Sequence, residues 1–117
     1  MSTVYAAMSG VVLTLLSSTT TGTSDPIACP PSFIHHNFIT KGAAGVTSGK
    51  VQMETANEAD YAGTWAAVGS EVTVVAGADV LTEYEGRLNF VRARVTTTIA
   101  GGTGPAALVQ YQGGKNY

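Results

Sequence analysis

The stretch RLNFVRARVTTTIAGGTGPAALVQYQ, residues 87–112, decides how this chain folds. Val91, Ala93, Val95 and Ile99 alternate in it with Arg92, Arg94, Thr96 and Thr98. Successive side chains of a strand point to opposite faces, so one face is apolar and the other polar, as a half-exposed antiparallel strand requires. Gly101-Gly102-Thr103-Gly104-Pro105 then reads as a hairpin turn, with residues 106–112 returning as the last strand. The glycines superficially resemble a phosphate loop, but the Lys and the following helix that such a cradle needs are missing.

Working outward, the same signal recurs. Short strands are predicted at 11–17, 32–40, 50–56, 64–68, 71–76 and 80–85, separated by Gly, Pro, Asn, Asp and Ser. Val and Thr, stiff at χ1 and favourable in strands, are abundant, and helix-period stretches are missing. In 11–17 both faces are mostly apolar, which predicts cover on both sides. In 32–40, Ile34, His36 and Phe38 share one face, while Phe33, His35, Asn37 and Ile39 share the other. Pro26, Pro30 and Pro31 cannot donate to a ladder, so residues 19–31 are expected to form an extended loop excursion or an edge. About seven or eight short strands with turns between them indicate an all-β antiparallel β-sandwich or jelly roll. Ferredoxin-like and doubly wound folds would need helices that the pattern does not supply.

The 117 residues fit one domain, 1–117, with an extended N-terminal segment over 1–10. A chain of this size buries roughly two-thirds of its unfolded surface and needs no disulfide. Cys29 is the single cysteine, which excludes an intramolecular disulfide and a cysteine-based zinc site. Charged residues are 12% of the chain, against a typical ~25%. Such a composition tolerates burial against neighbours. The formal net charge of −2 argues against an electrostatic nucleic-acid binder. Residues 1–16 are moderately apolar but carry no preceding Lys or Arg, and the apolar run 11–16 is too short to span a membrane. The protein is therefore expected to stay in the cytoplasm until assembly.

Each candidate site lacks a partner. His35 and His36 are adjacent, so in an unbulged strand they face opposite ways and cannot chelate one metal. One ring is expected in the core or an interface and the other exposed. Cys29, beside Pro30-Pro31, has no charged neighbour in sequence to lower its pKa, and reads as a small buried hydrophobe. Glu54, Glu58 and Asp60 are too sparse for a calcium loop. Asp79, Glu83 and Glu85, with Tyr84, read as a polar strand face. Arg87, Arg92 and Arg94 are half of the six Lys and Arg. Arg92 and Arg94 could meet carboxylates of a neighbouring subunit, or pair across the sheet with Glu54 or Glu83, and the cross-strand pairing is preferred. Trp65 is expected to anchor the core between sheets. Tyr5, Tyr61, Tyr84, Tyr111 and Tyr117 are scattered and form no carbohydrate platform visible in the sequence.

Two stretches carry a resemblance: FIHHNFITKGAAGVTSGKVQMETANEADYAGTW over 33–65, and YEGRLNFVRARVTTTIAGGTGPAALVQYQ over 84–112. Both resemble small β-sandwich structural proteins of tailed bacteriophages. In that group a strand like Gly49-Lys50-Val51-Gln52-Met53-Glu54 leads through a polar loop to a Trp such as Trp65. A late strand like Phe90-Val91-Arg92-Ala93-Arg94-Val95 precedes a Gly-Gly turn such as Gly101-Gly102. The group has a strand-forming residue where this chain has Gly104-Pro105. The resemblance implies a scaffold, so no catalytic residue, cofactor or metal site is carried over.

The resulting expectation is a capsid decoration or cement protein, not an enzyme. It would form dimers or trimers and bind the major capsid protein and other virion proteins on the capsid surface, without nucleic acid or membrane. Arg92, Arg94, His35 and Tyr117 are the candidate interface residues, and segments 1–10 and 19–31 the candidate arms. A tail, collar or head-fibre component and a host-glycan binding module are the alternatives.

Overall fold

The β-branched, turn-punctuated sequence folds into two facing sheets with no helix among the described residues. The computed structural model describes residues 5–18, 21–102 and 106–114. The strands are β1 (Tyr5–Ala6), β2 (Leu13–Ser18), β3 (Ile27–Ala28), β4 (His35–Gly42), β5 (Val46–Ala56), β6 (Ala66–Thr73), β7 (Asp79–Glu85), β8 (Phe90–Gly101) and β9 (Ala107–Gly114). One sheet has the order β1-β3-β8-β5-β6 and the other β2-β9-β4-β7. Every pairing is antiparallel except the two-residue parallel contact of β1 with β3. The chain is an all-β antiparallel sandwich, as its alternation predicts.

The alternation in β8 is realised as read. Val91 and Ala93 are fully buried and Ile99 nearly so, while Arg92 and Arg94 lie on the other face. From the same sheet β5 turns Val51 and Met53 inward; from the opposite sheet β4 supplies Phe38, and β9 supplies Ala107, Val109 and Tyr111. Each fully buried Val or Met contributes about 1.5–3 kcal/mol of apolar transfer, which makes this interlayer the main source of cohesion. Face-to-face packing of two alternating sheets is what such a core requires.

Several boundaries differ from the sequence reading, each for a local reason. Strand β2 starts at Leu13, and Val11 and Val12 are exposed instead of covered. A register shift between Thr14 and Leu16 lets two consecutive leucines, Leu15 and Leu16, both turn inward. The predicted strands 64–68 and 71–76 are one strand, β6: its pairing with β5 jumps from Val72 to Val68, and Gly69 takes a φ of +70° in the intervening bulge. Strand β4 begins only at His35, after the turn that follows Pro30.

The described parts of the two candidate arms dock on the protein's own sheets, with Gly10 N donating to Gly113 O of β9. Within the 19–31 excursion, residues 21–28 follow the flank of β8: Val95 N donates to Gly22 O, Ser24 N to Ala93 O, and Ile27–Ala28 pair as β3. Tyr5–Ala6 then add to β3, and Ala7 is buried. The edge of β8 would otherwise present unpaired amides, and covering it satisfies them. Residues 1–4 and 19–20 of these segments, and the Gly104-Pro105 turn, lie outside the described residues.

The connection from β6 to β7 crosses between the sheets against Gly42. Gly42 N donates to Ala78 O, and Gly77 N donates to Gly42 O. A methyl group on Gly42 would collide with the Val75 carbonyl oxygen, which is backbone and cannot swing aside. Gly42→Ala is therefore expected to destabilise the fold by about 1–3 kcal/mol, the usual scale of overpacking, read as a lowered midpoint in urea unfolding.

Candidate functional site

On the outer face of the five-stranded sheet, β5 and β8 bring three charges together. Glu54 lies opposite Arg92 in register, with Arg94 two residues along. Arg92 Nε donates to Glu54 Oε1 at 2.9 Å, and Arg94 Nε and Nη2 donate to Oε2 at 3.1 and 3.0 Å. Glu54 is only 4% exposed, so its carboxylate is removed from water and held by charge-assisted bonds instead. This is the cross-strand pairing preferred from the sequence, with Glu54 and not Glu83 as the acid. The same bonds occupy the two arginines that were candidate interface residues. The hydrogen bond from Arg94 to Glu54 holds its guanidinium further toward the protonated form.

Trp65 completes this layer. The sequence reading placed it between the sheets; it is buried, but outside the central core cluster, with the Arg92 guanidinium 4.1 Å over its ring. The polar face of β8 thus draws the indole by a cation–π contact, an attraction that no spacing rule encodes. Trp65 Nε1 donates to Tyr61 O at 3.0 Å, and Tyr61 N donates to Glu58 O at 3.4 Å. The loop between β5 and β6 is therefore clamped from Glu54 through Arg92 and Trp65 to Tyr61. Beside it opens a cleft of about 460 Å³ that meets the β7–β8 turn and carries Tyr61, Tyr84, Asn57, Asn89, Arg87 and Glu58.

The histidine pair splits as expected. His36 is 1% exposed, its Nδ1 2.6 Å from Tyr111 Oη and its Nε2 2.9 Å from Gly86 O. A carbonyl only accepts, so Nε2 carries the proton and Nδ1 accepts from the tyrosine hydroxyl. Cys29 Sγ lies 3.4 Å from that hydroxyl oxygen, which can accept its S–H. The thiol, phenol and imidazole form a buried neutral chain that ends on backbone. Burial lowers the His36 pKa and raises that of Cys29, so neither is poised as a base or nucleophile. His35 points the other way, toward Glu85 at 3.3 Å.

The outer face of the four-stranded sheet is the feature the sequence reading missed. Ile39 pairs laterally with Leu81 on one side and Gln110 on the other, and Asn37 pairs with Glu83 and Gln112. Leu81 and Val12 are each 53% exposed, and a shallow hollow of about 260 Å³ runs between them past Ile39. The signal was present, since Ile39 and Leu81 stand on the strand faces opposite Phe38 and Val80. Only the pairing of β4 with β7 puts them side by side.

The other acidic residues disperse. Asp79 pairs with Lys41 at 3.0 Å, and Glu71 accepts from Thr96 and lies 3.8 Å from Lys50. No group of three His, Cys, Asp or Glu among the described residues is placed to hold a metal ion. Tyr117 lies outside the described residues.

No protein-family model and no curated protein matches the sequence. Among solved structures, the fold is similar to that of the PBSX exported protein XepA, with a TM-score of 0.63 and 13% identity over 92% of this chain and 38% of that one. It is similar also to the SPBc2 prophage-derived protein YomS, with a TM-score of 0.62 and 13% identity over 86% of this chain and 88% of that one. The chain therefore spans well under half of XepA and most of YomS. At this identity the likeness is one of fold.

Two outcomes follow from the polar contacts. Glu54→Ala should cost about 2 kcal/mol, because the arginines lose charge-assisted bonds but are themselves partly exposed; chemical denaturation measures it. His36 has a folded pKa below its unfolded value of 6.5, so the unfolded state binds the proton more readily and acid favours unfolding. Its contribution is complete above the unfolded value and is lost as pH falls below it. The melting temperature should drop between neutral pH and pH ~5, and His36→Gln should flatten that drop while lowering stability at neutral pH.

Proposed function

We propose that this chain is a structural protein of a phage virion, and within that class a decoration or cement protein that binds the major-capsid lattice. The observation that carries this reading is the outer face of the four-stranded sheet. It exposes Val12 and Leu81, with half-buried Ile39 between them, around a hollow lined by Asn37, Gln110 and Gln112, while the acidic Asp79, Glu83 and Glu85 that alternate with Leu81 lie on the edge strand β7. An apolar centre with neutral hydrogen-bonding neighbours and charges toward the rim is the arrangement a protein interface uses. The similarity in fold to a prophage-derived protein supports the phage assignment, and the resemblance of residues 33–65 and 84–112 supports the structural one. Such a protein acts by burying surface against neighbouring capsomers, which resists expansion of the shell.

A second reading is a module that works outside the producing cell. It is favoured by the first fold likeness, which is to an exported protein, and one in which this fold occupies only 38% of the chain.

Quantitative mass spectrometry of purified virions separates the two. Copies in the hundreds per particle support shell decoration, a single ring's worth supports a collar or tail site, and recovery only in the particle-free supernatant supports the second reading. Leu81→Asp is expected to reduce incorporation at least about tenfold, the scale of a lost central contact, with little change in melting temperature because Leu81 is exposed. Unchanged incorporation of Leu81→Asp would remove this face from the assembly contact.

A further inference from the structure

We propose that the cleft between the β5–β6 loop and the β7–β8 turn is a binding site for a neutral saccharide. This goes beyond the structural role, since it gives the protein a ligand outside the virion.

The site is built at one end of the sandwich, where connecting loops are free to specialise on a rigid scaffold. Its floor includes Leu88, which is buried, and its rim holds two tyrosines, Tyr61 and Tyr84, exposed by 46% and 38%. Each ring lies against a glycine. A methyl group on Gly63 would collide with the Tyr61 hydroxyl, and one on Gly86 would sit 3.2 Å from the Tyr84 ring. The rings are thus laid on backbone, with apolar surface left open to the cleft. Partly exposed aromatic faces of this kind suit the C–H faces of a pyranose ring, and tyrosine offers them at low conformational cost.

The polar groups match a ligand rich in hydroxyls. Asn89 Nδ2 donates to Asn57 Oδ1 at 2.8 Å, and Arg87 Nη2 donates to Asn89 Oδ1 at 3.3 Å. This chain orients the amides and leaves the Asn57 amide hydrogens and further Arg87 hydrogens as donors. Glu58 contributes a carboxylate to the same cleft. A sugar hydroxyl donates and accepts at once, and so uses both kinds of group. One guanidinium and one carboxylate cancel in charge, which disfavours a polyanion.

The loop carrying Tyr61 is ordered before any ligand arrives. The Glu54–Arg92 ion pair seats Trp65, and the Trp65 indole holds the Tyr61 carbonyl. Ordering in advance reduces the entropic cost of binding, on which a shallow site depends.

The test is binding of the full chain to an array of bacterial surface polysaccharides, with maltotriose and triacetylchitotriose titrated separately by calorimetry. Saturable binding to at least one saccharide is expected. Tyr61→Ala and Tyr84→Ala should each weaken it by about tenfold, the scale of one lost aromatic contact. Tyr61→Phe, which keeps the ring, should stay close to wild type. Circular dichroism melting confirms that the variants fold. No saturable binding to any array member or titrated sugar would overturn the proposal, as would unchanged affinity in both alanine variants. Either result leaves virion incorporation, read separately, to decide the structural role.

Discussion

The two-faced character of β8 governs the rest of the molecule. Its inward residues Val91, Ala93 and Ile99 are buried in the interlayer, while Arg92 and Arg94 reach across to Glu54 on the outer face. A slip of one residue would exchange these rows and drive two guanidiniums into an apolar core, at a cost no packing could offset. The register of β8 is therefore set strongly. β5 follows it through its pairing with β8, and the flanking 21–28 segment follows it on the other side.

From that register the outer surface takes its shape. Glu54 is not a solvated acid but a buried carboxylate held by two partly exposed arginines, and Trp65 stacks on Arg92 beside it. The same stack reaches the Tyr61 loop and orders the wall of the end cleft. A charge placed on one strand thus positions an aromatic ring in a loop. This transfer works because each contact is short and directional.

The opposite sheet is organised differently. Its buried side contains the neutral chain from Cys29 through Tyr111 and His36 to the Gly86 carbonyl, which satisfies polar groups that burial would otherwise penalise. Its outer side carries Val12 and Leu81 open to solvent, with half-buried Ile39 between them. One sheet carries on its outer face a nearly buried carboxylate held by two arginines and an indole, and the other carries the pairs Lys41–Asp79 and His35–Glu85 beside its apolar hollow.

By itself the sequence determined the all-β class, the positions of most strands along the chain, the two faces of β8 and the opposite fates of His35 and His36. All of these follow from the two-residue period of a strand and from turn residues, which are local. Tertiary structure alone decided the rest. It chose Glu54 over Glu83 as the acid for the arginines, because β5 and not β7 is the neighbour of β8. It moved Trp65 out of the core, fused the strands predicted at 64–68 and 71–76 through a bulge, laid residues 21–28 along β8 and added Tyr5–Ala6 to β3. It also gathered Tyr61 with Tyr84, and Ile39 with Leu81, residues far apart in the chain. Period and punctuation say which way a side chain points, but which strand stands beside it is settled only when both sheets close on a common core.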